Sequence, residues 1–373
     1  MNMVKSWADE LNVRPERLEY LDNFLKKLVD DDQHSFIGFH ALRRGQVIFS
    51  GHYGVQKPGG GPLLPDAIYP MQSITKIITA TCAAILQEEG LLDFYDLVSK
   101  HFQEFSGDGK DGVEIWQMFC HTSGIDDDAI WKHWNEIHGD ISDEDVGKEA
   151  YWQTKLGAPL AATPGSRFIY SNFNYEVIAE LVERTSGMTF PEFSEEQIFK
   201  PLGMVDSHFI LPPKKRERYV LRRETAKGGK WMNGDGMMNS THPAGGWKAT
   251  HQDAAIFGQM WLNMGTLNGA RILSPASVKT MTRDLNTHLP PGAWKGRYLG
   301  CNWGLGWDIK GDKIDDHGFI RSGRSYNHSG FGGATLLIEP DADLVISCYF
   351  VEEQEDSYGD YGPAFNIIYS ALD

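Results

Sequence analysis

Apolar residues recur at helical spacing from Pro15 to Val29, where Leu18, Leu21, Phe24, Leu25 and Leu28 share one face. From Ser35 to Ser50 the period shortens to two, as in strands, and the polar break Arg43-Arg44-Gly45 divides the stretch into a hairpin. The run Ile77 to Leu86 shows neither period. It holds no charge and is followed by Gly90, which predicts a buried helix; Pro70 blocks helix upstream, so the helix starts close to Ser73. Between about Leu91 and Pro201 the pattern is helical and broken by loops, with segments from Leu92, from Val113 to Cys120, from Trp131 to His138 and from Asn174 to Thr185. Gly187 stands just past the last of these, as a helix C-terminus prefers. Gln252 to Gly265 and Ser274 to Met281 predict two more helices, the second with Pro275 at its start.

Strand patterns return at Gly304 to Ile309, Ala334 to Ile338 and Leu344 to Phe350, the last two joined by a turn at Glu339 to Asp343. Pro363 to Leu372 closes the chain as an amphipathic helix. Strands at both ends with helices between them predict an α/β protein of the α+β type. One antiparallel sheet would pair the N-terminal hairpin with the C-terminal strands, flanked by the first and last helices, beside a mostly helical second lobe. The expected boundaries are 1–98 and 240–373 for a discontinuous α/β domain and 99–239 for the inserted lobe.

Three local patterns carry chemistry. In Ser73-Ile74-Thr75-Lys76 a serine at a helix N-terminus has a lysine one turn on, about 5–6 Å away on the same face. The uncharged run after Lys76 leaves it no water-facing stripe, and a desolvated amine can serve as the base that a serine nucleophile needs. In Tyr170-Ser171-Asn172, between the turn Thr163-Pro164-Gly165-Ser166 and a helix, a tyrosine can present its phenol to a cleft. In His328-Ser329-Gly330-Phe331-Gly332-Gly333, which leads into the strand from Ala334, glycines let a ligand or another backbone approach, and strand N–H groups can point at an acyl oxygen.

The charge balance narrows the partners. With 35 Lys+Arg against 51 Asp+Glu the formal charge of the 373-residue chain is −16, which argues against nucleic acid or anionic membrane as partners. The segment Met1 to Arg17 lacks an apolar stretch of signal-peptide length and no later run approaches a membrane span, so the expectation is a soluble, cytoplasmic protein. Cys82, Cys120, Cys301 and Cys348 have no Cys-x-x-Cys spacing and are expected to be buried free thiols. His133, Glu136 and His138 lack zinc-ligand spacing, and Asp126-Asp127-Asp128 and Asp315-Asp316-His317 read as solvated loops. Trp131, Trp134, Tyr151 and Trp152 read either as core aromatics or as the apolar wall of an acyl pocket.

Taken together, Ser73-x-x-Lys76, Tyr170-x-Asn172 and His328-x-Gly330 resemble the three elements of the β-lactamase and penicillin-binding-protein superfamily, in its class C-like branch that includes serine esterases. His121-Thr122-Ser123-Gly124, Pro164-Gly165, Pro201-Leu202-Gly203-Met204 and Gly304-Leu305-Gly306-Trp307 resemble its scaffold, so the match runs from about residue 35 to the end. The resemblance implies a β-lactamase/transpeptidase-like fold and a covalent acyl-enzyme, with no metal and no cofactor. It implies Ser73 as nucleophile, Lys76 and Tyr170 sharing the proton traffic, and Asn172 holding the lysine and the substrate. The backbone N–H groups of Ser73 and Phe331 would form the oxyanion hole. His328 departs from the lactamase pattern, which has lysine there; family esterases and some amide hydrolases carry histidine. The expectation is therefore a carboxylesterase acting on small esters. Alternatives are an amidase, D-amino-acid peptidase or weak β-lactamase with the same machinery, or a sensor that acylates without turnover. The oligomeric state is open.

Overall fold

The computed structural model describes residues 10–142, 145–290, 301–354 and 361–373, together with Ala8 and the paired dipeptides Ala293–Trp294 and Tyr298–Leu299. Helix α1 (Pro15–Asp30) starts on its proline and buries Leu18, Leu21, Leu25 and Leu28, the stripe its sequence period predicts. Strands β1 (Phe36–Arg43) and β2 (Gln46–Gly54) follow as an antiparallel hairpin with a bulge at Ala41/Leu42. The middle of the chain is helical and includes α2 (Thr75–Glu88), α3 (Asp127–His138), α4 (Phe173–Ser186) and α5 (His251–Leu262). The chain then returns to the sheet with β3 (Asp308–Ile309), β4 (Tyr326–Gly330), β5 (Ala334–Glu339) and β6 (Leu344–Phe350), and closes with α6 (Tyr361–Tyr369).

The six strands lie in the order β2-β1-β6-β5-β4-β3 and every pairing is antiparallel, so the two ends of the chain meet at β1 and β6. Both faces of the sheet are covered. Ile37, Phe39, Ala41, Leu337, Ile346 and Phe350 pack with α1 and α6 in one core, while Phe36, Leu336, Ile338, Val345 and Tyr349 join α2, α4 and α5 in the other. This double burial is why Leu344 to Phe350 reads as an apolar run broken only by Ser347 instead of alternating. Gly258 lets α5 lie close on the sheet, since a Cβ there would sit 2.7 Å from Val345 Cγ1.

Several boundaries differ from expectation. Of the strand expected over Gly304 to Ile309, only Asp308–Ile309 pairs, because Gly306 sits at φ +96° and turns the chain. His328-Ser329-Gly330 lies on a strand of its own, β4, whose polar sequence hid it, and Phe331 to Gly333 make the turn into β5. Helix α3 begins at Asp127, four residues before Trp131, because the Asp126 carboxylate accepts from Asp128 N at 3.1 Å and caps it. Helix α6 begins two residues ahead of Pro363 and ends at Tyr369. Among the described residues no two cysteines form a disulfide; Cys82, Cys120 and Cys348 are buried, whereas Cys301 is half-buried. Among the described residues no helix is long and apolar enough to cross a membrane.

Candidate active site

The approach to Ser73 is held on both sides. Tyr69 and Pro70 pair with Ala249 and Lys248 in a short antiparallel ribbon, and Met71 N donates to Trp247 O at 2.9 Å. Gln72 then takes a left-handed conformation, φ +49°, and Gln72–Ile74 form a 3-10 turn that runs into α2. Thr75 Oγ1 donates to Gln72 O at 2.6 Å and accepts from Trp247 N at 3.0 Å, locking the turn. Ser73 thus stands two residues ahead of α2, and Lys76 falls in the helix's first turn.

Lys76 is fully buried. Its Nζ lies 3.1 Å from Ser73 Oγ, 2.8 Å from Asn172 Oδ1 and 3.1 Å from Ala244 O. Burial lowers its pKa from 10.5 to about 7, against the opposing pull of the Asp127 and Glu176 carboxylates. A neutral amine keeps two N–H groups for Asn172 and Ala244 and turns its lone pair to the serine hydroxyl. The Tyr170 ring lies 4.8 Å from Lys76 Nζ and stacks on His121 at 4.3 Å between centroids. Its phenol hydrogen-bonds Ser73, and burial, despite that bond, pushes its pKa well above the usual 10. The environment therefore favours an amine beside a phenol over an ammonium beside a phenolate. Ser73 Oγ sits between an acceptor and a donor, an arrangement that can remove a proton on one side and return it on the other.

Asn172 is fixed by a residue the sequence reading assigned to a solvated loop. Asp127, at the start of α3, accepts from Ser171 Oγ (2.6 Å), Asn172 N (2.8 Å), Asn172 Nδ2 (3.0 Å) and Phe173 N (3.2 Å). One carboxylate thus ties down the start of α4 and orients the Asn172 amide so that its oxygen faces Lys76. The spacing from Asp127 to Asn172 carries no local signal, which is why the pattern was missed.

On β4, Gly330 allows the strand to pass against the Ser73 turn: a Cβ there would run into Met71 O and lie 3.0 Å from Gln72 Cβ. His328 is 2% exposed, packs near Tyr170 and Trp303, and has Nδ1 2.8 Å from Ser329 O, so that nitrogen donates. Burial, with the nearby Lys76, lowers its pKa to about 3. The imidazole is neutral over the whole working range, where an unperturbed histidine would gain charge in mild acid. Ser329 Oγ lies 2.7 Å from His317 Nε2, and Phe331, 39% exposed, tilts against Trp231 at 5.8 Å.

Ser73, Tyr170, Asn172, Ser329, Gly330 and Phe331 line a cleft of about 660 Å3 together with Trp231 and Met237, whereas Lys76 and His328 are buried behind its wall. Of Trp131, Trp134, Tyr151 and Trp152, none lines this cleft. Trp134 and Trp152 are core, and Trp131 lines a separate pocket beside Lys155. Trp231 and Met237, on two short helices, take that place, and nothing in their local sequence marks them. Asp315-Asp316-His317 is also not a solvated loop. Asp315 is buried against the buried Arg321 guanidinium, and His317 is 4% exposed. The donor atoms of these three residues lie within 4.8 Å of one another, but Arg321 already balances Asp315.

The β-lactamase family model matches residues 21–366, and the chain belongs to that family, whose members are serine hydrolases of this mixed fold. It is 26% identical over 379 residues to a putative D-alanyl-D-alanine carboxypeptidase of Salmonella enteritidis PT4, covering 91% of this chain and 83% of the relative. Among solved structures it resembles a penicillin-binding protein homologue from Caulobacter crescentus, with TM-score 0.74, 22% identity and coverage of 96% and 99% of the two chains. A family VIII carboxylesterase is similar at TM-score 0.73 and 18% identity, with the same coverage.

Proposed function

We propose that this protein is a carboxylesterase acting on small uncharged esters through an acyl-enzyme on Ser73. The observation that carries the mechanism is the buried Lys76 amine, lowered to about 7 and 3.1 Å from Ser73 Oγ. As Oγ attacks the ester carbonyl, Lys76 takes its proton, and the carbonyl oxygen becomes an oxyanion held by the N–H groups of Ser73 and Phe331. Collapse breaks the bond to the leaving alkoxide, which takes the Tyr170 proton, and Lys76 reprotonates Tyr170. Water then attacks the acyl-enzyme by the reverse proton route and regenerates Ser73. Asn172 keeps Lys76 in register throughout.

The ester preference rests on His328. A β-lactam or a peptide C-terminus brings a carboxylate, and a hydrogen bond to a charged group there would be worth about 1.5–3 kcal/mol. A histidine held neutral by burial offers no charge for it. The test is kcat/KM for p-nitrophenyl acetate and butyrate beside nitrocefin and a D-alanyl p-nitroanilide. Esters should lead by at least about 10²-fold, and His328→Lys should narrow the gap. Nitrocefin or anilide turnover equal to the esters overturns the assignment, and one equivalent of product followed by silence would mean a sensor. Lys76→Ala and Tyr170→Phe should each cost about 10²–10⁴-fold in kcat, the double variant far less than their product.

A further inference from the structure

His242 stands where three hollows meet. It lines the Ser73 cleft, a groove of about 420 Å3 along α4, and a small pocket of about 120 Å3 bordered by Asn172 and Asp127. The acyl chemistry gives this side chain no task. Its Nδ1 accepts from Ala244 N at 3.1 Å. A ring nitrogen that accepts carries no proton, so the neutral imidazole has its proton on Nε2. That nitrogen lies 3.3 Å from Glu176 Oε1. Glu176 in turn accepts from the Tyr151 hydroxyl, and the buried Lys155 Nζ lies 2.9 Å from that hydroxyl and 3.8 Å from Glu176 Oε2. Tyr151 and Lys155 share the helix Lys148–Gly157, so the ring is backed by two elements, that helix and α4.

The other end of this chain reaches the base. Ala244 O accepts from Lys76 Nζ at 3.1 Å, so the residue whose N–H is held by His242 is the one whose carbonyl holds Lys76. The rest of the loop is fixed without the imidazole: Gly246 N and Gly245 N donate to His242 O at 2.7 and 3.1 Å, and Thr79 Oγ1 donates to Pro243 O at 2.6 Å. Loss of the ring therefore leaves the loop in place and releases Ala244. A neutral Lys76 needs both of its acceptors. With its N–H groups spent on Asn172 Oδ1 and Ala244 O, the lone pair is left for Ser73 Oγ. With the Ala244 carbonyl turned away, an N–H can swing onto the serine, and the amine no longer accepts its proton.

We propose that His242 is a positioning residue for the reaction: by holding Ala244 N through Nδ1 it aims the Ala244 carbonyl at Lys76 and keeps the lone pair of the base on Ser73. Glu176, Tyr151 and Lys155 brace the ring from behind. The proposal rests on the reading of Lys76 as the base at Ser73 and adds the residue that sets its orientation.

Two amides separate the two arms of the ring. An asparagine oxygen takes the place of Nδ1 and can close the same turn onto the N–H two residues on, whereas a glutamine amide reaches the place of Nε2 and leaves Ala244 N unheld. For the unmodified protein, His242→Asn, His242→Gln and His242→Ala, the measurements are kcat and KM for p-nitrophenyl butyrate, the melting temperature, and the rate at which a p-nitrophenyl alkylphosphonate labels Ser73. His242→Ala and His242→Gln should each lower kcat by at least about tenfold with KM within about threefold, and His242→Asn should recover kcat to within about threefold of the unmodified enzyme. Labelling, which needs the same deprotonated serine, should fall and recover in the same order. Should His242→Ala not fold, the Asn and Gln pair decides. Equal kcat in the Asn and Gln variants, a loss that falls on KM, or full activity in His242→Ala overturns the positioning role and leaves the Ser73 reading standing. Absence of both ester turnover and labelling in the unmodified protein defeats the Ser73 reading and this one with it.

Discussion

Burial alone does not make a lysine a base. Lys248 and Lys313 are also buried and also lowered to about 7, yet Lys248 donates to the carbonyls of Phe209 and Ser240, and Lys313 is paired with Asp308. Lys76 differs in its partner, a serine hydroxyl facing a cleft. Its lowered pKa sets the sign of the pH dependence. The amine is protonated and idle below about 7 and free to accept a proton above it, so kcat/KM for p-nitrophenyl butyrate should rise through that range to a plateau. Tyr170, raised by burial, stays a phenol on the plateau, and His328 stays neutral on the rising limb. Because the Glu176 carboxylate pulls the Lys76 pKa upward, Glu176→Gln should move the rising limb to lower pH. A profile that is flat between about pH 5 and 9 would remove Lys76 from the base role.

At the level of the elements, the turn between β4 and β5 couples fold to site. Gly333 stands at φ +123°, and a Cβ there would run into the Phe350 carbonyl oxygen on β6. The turn can therefore hold Phe331 beside Ser73 only if position 333 has no side chain. Gly333→Ala should cost at least about 2 kcal/mol in urea unfolding and lower kcat as well, because the strain is released by moving Phe331. A variant with unchanged stability and kcat would show that the turn is not strained as described. Element types were largely legible from periodicity: α1, β1, β2, α2, α4, β5 and β6 all fall where their patterns place them, within a few residues. The shifted start of α3 and the hidden β4 each come from contacts that apolar spacing does not show. Asp126 caps by side-chain geometry, and Tyr326 to Gly330 is strand because β5 and β3 pair with it from either side.

The whole molecule keeps its chemistry on one side of the sheet. The α2, α4 and α5 layer carries Ser73's helix, whereas α1 and α6 cover the opposite face with a separate core. Leu21, wholly buried in that second core, gives a clean probe. Leu21→Ala should destabilise by about 2–5 kcal/mol while leaving kcat/KM of the folded enzyme within about twofold. Loss of activity matching the loss of stability in native buffer would mean that the two layers do not act independently.

The amino-acid order by itself determined the periods that make helices and strands, the uncharged run behind Lys76, and the three short motifs whose residue types announce serine chemistry. Those signals are local, spanning a few residues, and survive in an unfolded chain. Tertiary structure alone decided what surrounds them. It set the Lys76 pKa through desolvation, and it brought Asp127 to Asn172 from 45 positions away. It placed Trp231 and Met237 in the cleft instead of Trp131, and turned Asp315-Asp316-His317 from apparent surface into a half-buried cluster whose His317 touches Ser329. Burial and long-range contact depend on the packing of segments far apart in sequence, and a window of neighbouring residues carries no record of them.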